Sequence, residues 1–154
     1  PKEDKRLISE ADCRRALGNR ADCDLPLLRT GFERYRRSDP ERYICGCLGL
    51  SPDAARFLKA TLPQMRALGI DFVSLEWTVD RSPGFAAHQV LRKDKGRPVM
   101  IVEDMGLDVN IGRVRRILAM PPFFREINSF PATVFGELEQ SAISITAGGS
   151  PLSA

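Results

Sequence analysis

An α+β fold, or a three-layer α/β/α arrangement, is what this sequence predicts, and three observations predict it. Amphipathic segments with helix caps come first, β-rich runs follow from about residue 41, and Gly and Pro mark the changes of period. The predicted order is α-α-β-α-β-β-β-α-β: N-terminal helices, then a mixed sheet with a central hairpin. At 154 residues the chain is one domain or most of one. Its parts are a helical segment over 1–40, the sheet with its helices over 41–140, and a tail over 141–154. It opens on Pro1 and closes on Ser153-Ala154, which suggests boundaries cut from a longer chain.

Between Lys5 and Leu17, Ile8, Ala11, Ala16 and Leu17 recur among charges as on one face of a helix that Gly18-Asn19 ends. Asp24-Leu25-Pro26 starts a second, with Leu27, Leu28, Phe32 and Tyr35 at helical spacing up to Arg37. Arg42 to Leu50 has the composition of a mostly buried strand. Ser51-Pro52-Asp53 is a helix start, a Ser cap with Pro at the first position, and Ala55, Leu58 and Leu62 form its apolar side. Ile70 to Val79 alternates as a strand. Gly84 to Ala87 and Val99 to Glu103 then predict the two arms of a hairpin with Asp94-Lys95-Gly96 at its tip. Asn110 to Met120 predicts a helix stopped by Pro121-Pro122, and Thr133 to Leu138 a last strand. The tail from Ser141 is small and polar.

Composition narrows the function classes. Lys and Arg number 23 against 20 Asp and Glu, a net charge of +3, and the basic residues are scattered. Nucleic-acid binding calls for a denser stripe. No apolar run approaches the length of a membrane span. Four cysteines stand at 13, 23, 45 and 47. Cys45 and Cys47, one residue apart on a predicted strand, suit neither a redox pair nor a zinc knuckle, so no metal site is expected. Buried, reduced thiols in a cytosolic compartment are the reading these cysteines support.

Several segments, in order, resemble the YopJ-type effector acetyltransferases. They are Asp24-Leu25-Pro26-Leu27-Leu28 with Arg36-Arg37, Leu50-Ser51-Pro52-Asp53, Ser82-Pro83-Gly84-Phe85-Ala86-Ala87, Lys95-Gly96 with Val99 to Glu103, and Phe135-Gly136-Glu137-Leu138-Glu139-Gln140-Ser141. The resemblance implies a papain-like, SUMO-protease-like fold. It also implies a Cys that takes an acetyl group from acetyl-CoA, a His base and an acid that orients the His. On this chain Glu103 matches the acid and Gln140 the oxyanion-holding Gln. The His position falls on Gly84 and the Cys position near Thr146 or Ala147. A triad acts as a unit, and losing one member costs on the order of a thousandfold in rate. The resemblance therefore implies a catalytically impaired, YopJ-like effector domain. Such a domain acts by binding a host signalling protein, kinase-like, or a related effector. It resides in the bacterial cytoplasm before secretion and in the host cytoplasm after. Arg113, Arg115 and Arg116 are the residues that the family's use of acetyl-CoA and inositol hexakisphosphate points to.

Two alternatives stand beside it. His88, the single histidine, lies fifteen residues before Glu103 and sixteen before Asp104. That spacing suits a base and an acid on paired hairpin strands. Cys45 or Cys47 upstream would be the nucleophile of a cytoplasmic thiol acyltransferase or protease. The other alternative is an interaction module with no catalytic role.

Overall fold

Among the described residues, strands form two parallel sheets and one antiparallel ribbon. The computed structural model describes residues 6–46, 48–76, 81–93, 96–107, 111–122 and 129–139. Where the sequence suggests one domain, the chain divides into two compact units, 1–109 and 110–154. The first unit runs β1 (Leu7–Ile8), α1 (Glu10–Leu17), β2 (Leu27–Leu28), a 3-10 turn (Phe32–Arg34), α2 (Tyr35–Ser38), α3 (Pro40–Cys45), β3 (Gly49–Leu50), α4 (Pro52–Thr61), β4 (Ala67–Ile70), α5 (Arg81–Lys93) and β5 (Met100–Val102). The second has a 3-10 turn (Ile111–Arg113), β6 (Val114–Met120) and β7 (Thr133–Leu138). This is a mixed α+β fold, as the sequence predicts.

Strand β1 pairs with β3, and β4 lies between β2 and β5, every one of these pairs parallel. Parallel neighbours need a crossover, and α5 supplies the one from β4 to β5. Helix α1 begins with a capping box: the Asp12 backbone N–H donates to Ser9 Oγ at 3.2 Å, and the Ser9 N–H donates to Asp12 Oδ2 at 3.0 Å. Ser51 caps α4 in the predicted place, accepting from the Ala54 N–H at 3.1 Å with Pro52 at the first position. Leu50, Leu68, Ile70, Phe72, Leu75 and Leu91 are fully buried, and α4 and α5 close over them through Ala54, Ala55, Leu58, Ala87 and Val90. At Gly69 the strands come so close that a Cβ would lie 2.6 Å from both Leu27 Cδ2 and Met105 Sδ.

Five predicted elements are corrected. The strand expected from Ile70 to Val79 lies earlier, as β4 (Ala67–Ile70), and residues 71–76 belong to no strand. The central hairpin is absent: Gly84 to Ala87 lies in α5, and β5 pairs with β4 rather than folding back. Ala87, Val90 and Leu91 have the i, i+3, i+4 spacing of a buried helix face, and Pro83 falls in the first turn, where its missing N–H costs nothing. Residues 42–45 continue a helix that Asp39 caps through the Arg42 N–H at 3.1 Å, so among the described residues of that stretch only Gly49–Leu50 is strand. The predicted helix over residues 24–37 is broken into β2, a 3-10 turn and α2. The predicted helix over residues 110–120 is instead strand β6, paired antiparallel with β7 (Leu118 opposite Phe135). β7 occupies the predicted residues. In this ribbon Leu118, Met120 and Phe135 are exposed.

One buried charge stands out in the first unit. Asp71, just past β4, is fully buried. Its carboxylate accepts from the Thr30 N–H at 2.8 Å, the Thr30 hydroxyl at 2.6 Å and the Gly31 N–H at 2.6 Å. Glu33 is its acidic neighbour. Burial, and then the hydrogen bond to Asp71, push the Glu33 carboxyl up to about 7 from 4.5. A proton on the Glu33 carboxyl is therefore held in the folded state at pH values where the unfolded chain has released it. Stability from this source is full below about 4.5 and is lost as pH rises towards about 7. Urea unfolding across that window should show the wild type losing stability relative to Glu33→Gln, which keeps an N–H donor and has no proton to lose.

Candidate functional site

In open parallel sheets, ligands gather beyond the carboxyl ends of the strands, and the polar side chains of the first unit gather there. Residues 30–31 follow β2, residues 71–75 follow β4, and Glu103 and Asp104 follow β5. The segment after β4 and the turn after β5 are tied by backbone bonds: Asp104 N–H to Phe72 O at 3.0 Å and Met105 N–H to Ile70 O at 2.9 Å.

Glu103 is the centre of this edge. Its Oε1 accepts from the Leu75 N–H at 2.7 Å and the Ser74 hydroxyl at 3.0 Å, and lies 3.4 Å from His88 Nε2. Ser74 is itself fixed, its Oγ accepting from the Glu76 N–H at 3.2 Å. Both partners of the pair are part-exposed, 21% for His88 and 31% for Glu103, so solvent or a ligand can reach them. Burial opposes ionisation of Glu103. The contact with His88 and the donors Leu75 N–H and Ser74 Oγ outweigh it and hold the carboxyl below its usual 4.5.

Asp104 turns the other way. It sits at φ 56°, in the left-handed region. Its Oδ1 accepts from Arg36 at 2.6 Å and from the Tyr43 hydroxyl. Burial, and then Asp104, push the Tyr43 hydroxyl up to about 12. Asp104 is therefore the acid of an Arg–Tyr clamp and not the partner of His88, which corrects one of the expected pairings.

The other expected residues fall as follows. His88 and Glu103 are brought together by helix α5 and the end of β5, not by two hairpin strands. Gly84, matched to a catalytic His, lies in the first turn of α5. Cys45 ends α3 and is exposed. That is the carbonyl end of a helix, opposite to the N-terminal setting that stabilises a thiolate. Cys13 is buried, and burial pushes its thiol up to about 11, which makes it inert. Cys47 and Gln140 lie outside the described residues. Arg113 belongs to a 3-10 turn and donates to Glu139 O at 2.7 Å, while Arg116 in β6 lies 3.6 Å from Glu137. With Arg115 also in β6, the three do not share a helix. Sequence reasoning missed Ser74 and the Leu75 N–H. The signal available was a short hydroxyl residue just beyond a buried parallel strand.

Two chemistries fit His88 and Glu103. A carboxylate held by fixed donors can orient an imidazole and stabilise its charged form. The pair could also hold a metal ion: two ligands each about 2.0–2.2 Å from a tetrahedral zinc stand about 3.4 Å apart, and Ser74 and Leu75 would be the outer hydrogen bonds to the carboxylate. Among the described residues no three His, Cys, Asp or Glu side chains converge on one point, so such an ion would take its further ligands from elsewhere. No helix among the described residues is long and apolar enough to cross a membrane. No protein-family model, curated protein or solved structure matches the chain.

The depressed Glu103 carboxyl contributes stability that is present above about 4.5 and lost as pH falls below it, through the folded-state value. The stability difference between wild type and Glu103→Gln should shrink on acidification below that point, as measured by urea unfolding.

Proposed function

We propose that the first unit carries an acid–base site for acyl-group chemistry, hydrolysis or transfer at a carbonyl carbon, with His88 as the base and Glu103 as its orienting acid. The observation that carries this reading is the 3.4 Å approach of His88 Nε2 to a Glu103 carboxylate already fixed by Ser74 and the Leu75 N–H. With Nε2 turned to Glu103, the proton-accepting nitrogen in this reading is Nδ1. His88 takes a proton from the attacking group as it adds to the carbonyl, Glu103 stabilises the imidazolium, and the proton passes on to the leaving group. The attacking group is water or a thiol. Of the thiols first considered, Cys45 stands at an unfavourable helix end, and water is the simpler choice.

The reading in which this chain is a catalytically impaired YopJ-like effector, binding a host signalling protein or a related effector, keeps Glu103 as its acid. It loses the hairpin on which its motif depended. Acetyl-CoA and inositol hexakisphosphate belong to that reading alone, and with the three arginines divided between turn and strand little supports it.

A panel of carboxylic esters and amides, with acetyl-CoA included, tests both. Turnover by the wild type that falls about a hundredfold or more in His88→Gln, and also falls in Glu103→Gln, is the expected result. Equal rates in all three proteins contradict the proposal and return the effector reading to first place. Repeating the assay with a chelator and with added Zn²⁺ separates a metal-held His–Glu pair from a metal-free base.

A further inference from the structure

Strands β6 and β7 form a ribbon with no third strand beside it among the described residues. Side chains alternate between its faces, and residues opposite each other across the ladder share a face. The register therefore sorts them. Ile117, Ala119 and Val134 stand on one face and are partly buried. Arg116, Leu118, Met120, Thr133, Phe135 and Glu137 stand on the other, and every one of them is exposed. The bulge between Val114 and Arg116 sets Arg116 on the side of Leu118, in keeping with its 3.6 Å approach to Glu137. Leu118, Met120 and Phe135 are more than half exposed, at 53%, 56% and 51%. A two-stranded ribbon is marginal in water without a layer packed on it, and large apolar side chains left in water forgo the stabilisation of burial.

We propose that the exposed face of β6 and β7 is a homodimer interface, packed on the same face of a second copy about a two-fold axis that runs along the strands. Rotation about that axis lays β6 of one copy over β7 of the other, so each contact is made twice. Leu118 then meets Phe135 of the second copy, Met120 meets Thr133, and Arg116 meets Glu137.

Charge decides both the occupant and the axis. In this arrangement the two arginines and two glutamates alternate in sign around the axis, and each Arg116 gains a second carboxylate beside its own Glu137. A two-fold axis lying across the strands would instead set the charged end of one ribbon on Met120 and Thr133 of the other. A wholly apolar partner would leave the same charges unanswered. Face-to-face packing with strands nearly aligned, about 10 Å apart, is a common arrangement of sheets. One ribbon face is small beside the roughly 1,200 Å² at which stable interfaces begin, so the dimer is weak and forms as concentration rises. It stands independently of His88 and Glu103.

Sedimentation equilibrium of the full chain over a wide range of concentration tests it. The average mass of the wild type should climb towards twice that of the monomer and no further, with the association weaker in high salt. Phe135→Asp should weaken it by about tenfold or more. The decisive arm mixes two variants. Arg116→Glu and Glu137→Arg each put like charges within a chain and across the axis, so each alone should stay monomeric. Their equimolar mixture should dimerise, because opposite charges then meet only between copies. A wild type that is monomeric at every concentration overturns the proposal and leaves the face to a different protein or another part of this chain. Association beyond two contradicts a closed two-fold. Dimers that survive Phe135→Asp place the interface elsewhere, and a mixture as monomeric as its components rules out this axis. Should a charge variant unpair β6 from β7 in its amide NMR spectrum, Phe135→Asp, which keeps the Arg116–Glu137 pair, decides the matter.

Discussion

A carboxylate taken out of water must be met by donors, and the first unit meets this demand at the carboxyl ends of its strands. Asp71 is fully buried and draws in Thr30 and Gly31 from the turn after β2. Ion burial without such partners costs several kcal/mol, on the order of what holds a domain together. The contacts around Asp71 thus set where the chain leaving β2 can lie relative to the chain leaving β4. Glu103 repeats the device at the end of β5 with Ser74, the Leu75 N–H and His88.

The geometry of the site follows from backbone more than from side-chain choice. Helix α5 crosses from β4 to β5 and offers His88 from the flank of the face that buries Ala87, Val90 and Leu91. Beyond β5 two successive acids serve different partners, Glu103 the imidazole and Asp104 the Arg36–Tyr43 clamp.

Much of the fold was legible wherever a local rule decides alone. The Ser51-Pro52 cap, the stop of α1 at Gly18 and the final strand Thr133–Leu138 are set by residues close in sequence. The rest was illegible where tertiary pairing overrides local pattern. Leu27–Leu28 sits at helical spacing with Phe32, yet β4 recruits it as a strand. Val114–Met120 has a helix-like mixture, yet the register with β7 makes it β. The stretch around Ala87 satisfies both periods over a few residues, and the buried pair Val90 and Leu91 decides for helix. Of the site, the fifteen-residue spacing named His88 and Glu103 together through the wrong element. The donors that hold Glu103, and those from Thr30 and Gly31 that hold Asp71, are long-range contacts that no spacing encodes.

The central claim is that Glu103 is the electrostatic partner of His88. A chain with a single histidine lets that be read from one imidazole resonance. Titrating the His88 ring by NMR in the wild type and in Glu103→Gln is the most direct measurement. A carboxylate 3.4 Å from Nε2 favours the charged ring, so its removal should lower the midpoint clearly, by an amount well outside the error of the titration. A midpoint unchanged by the substitution, in a variant with an otherwise native spectrum, would contradict the account.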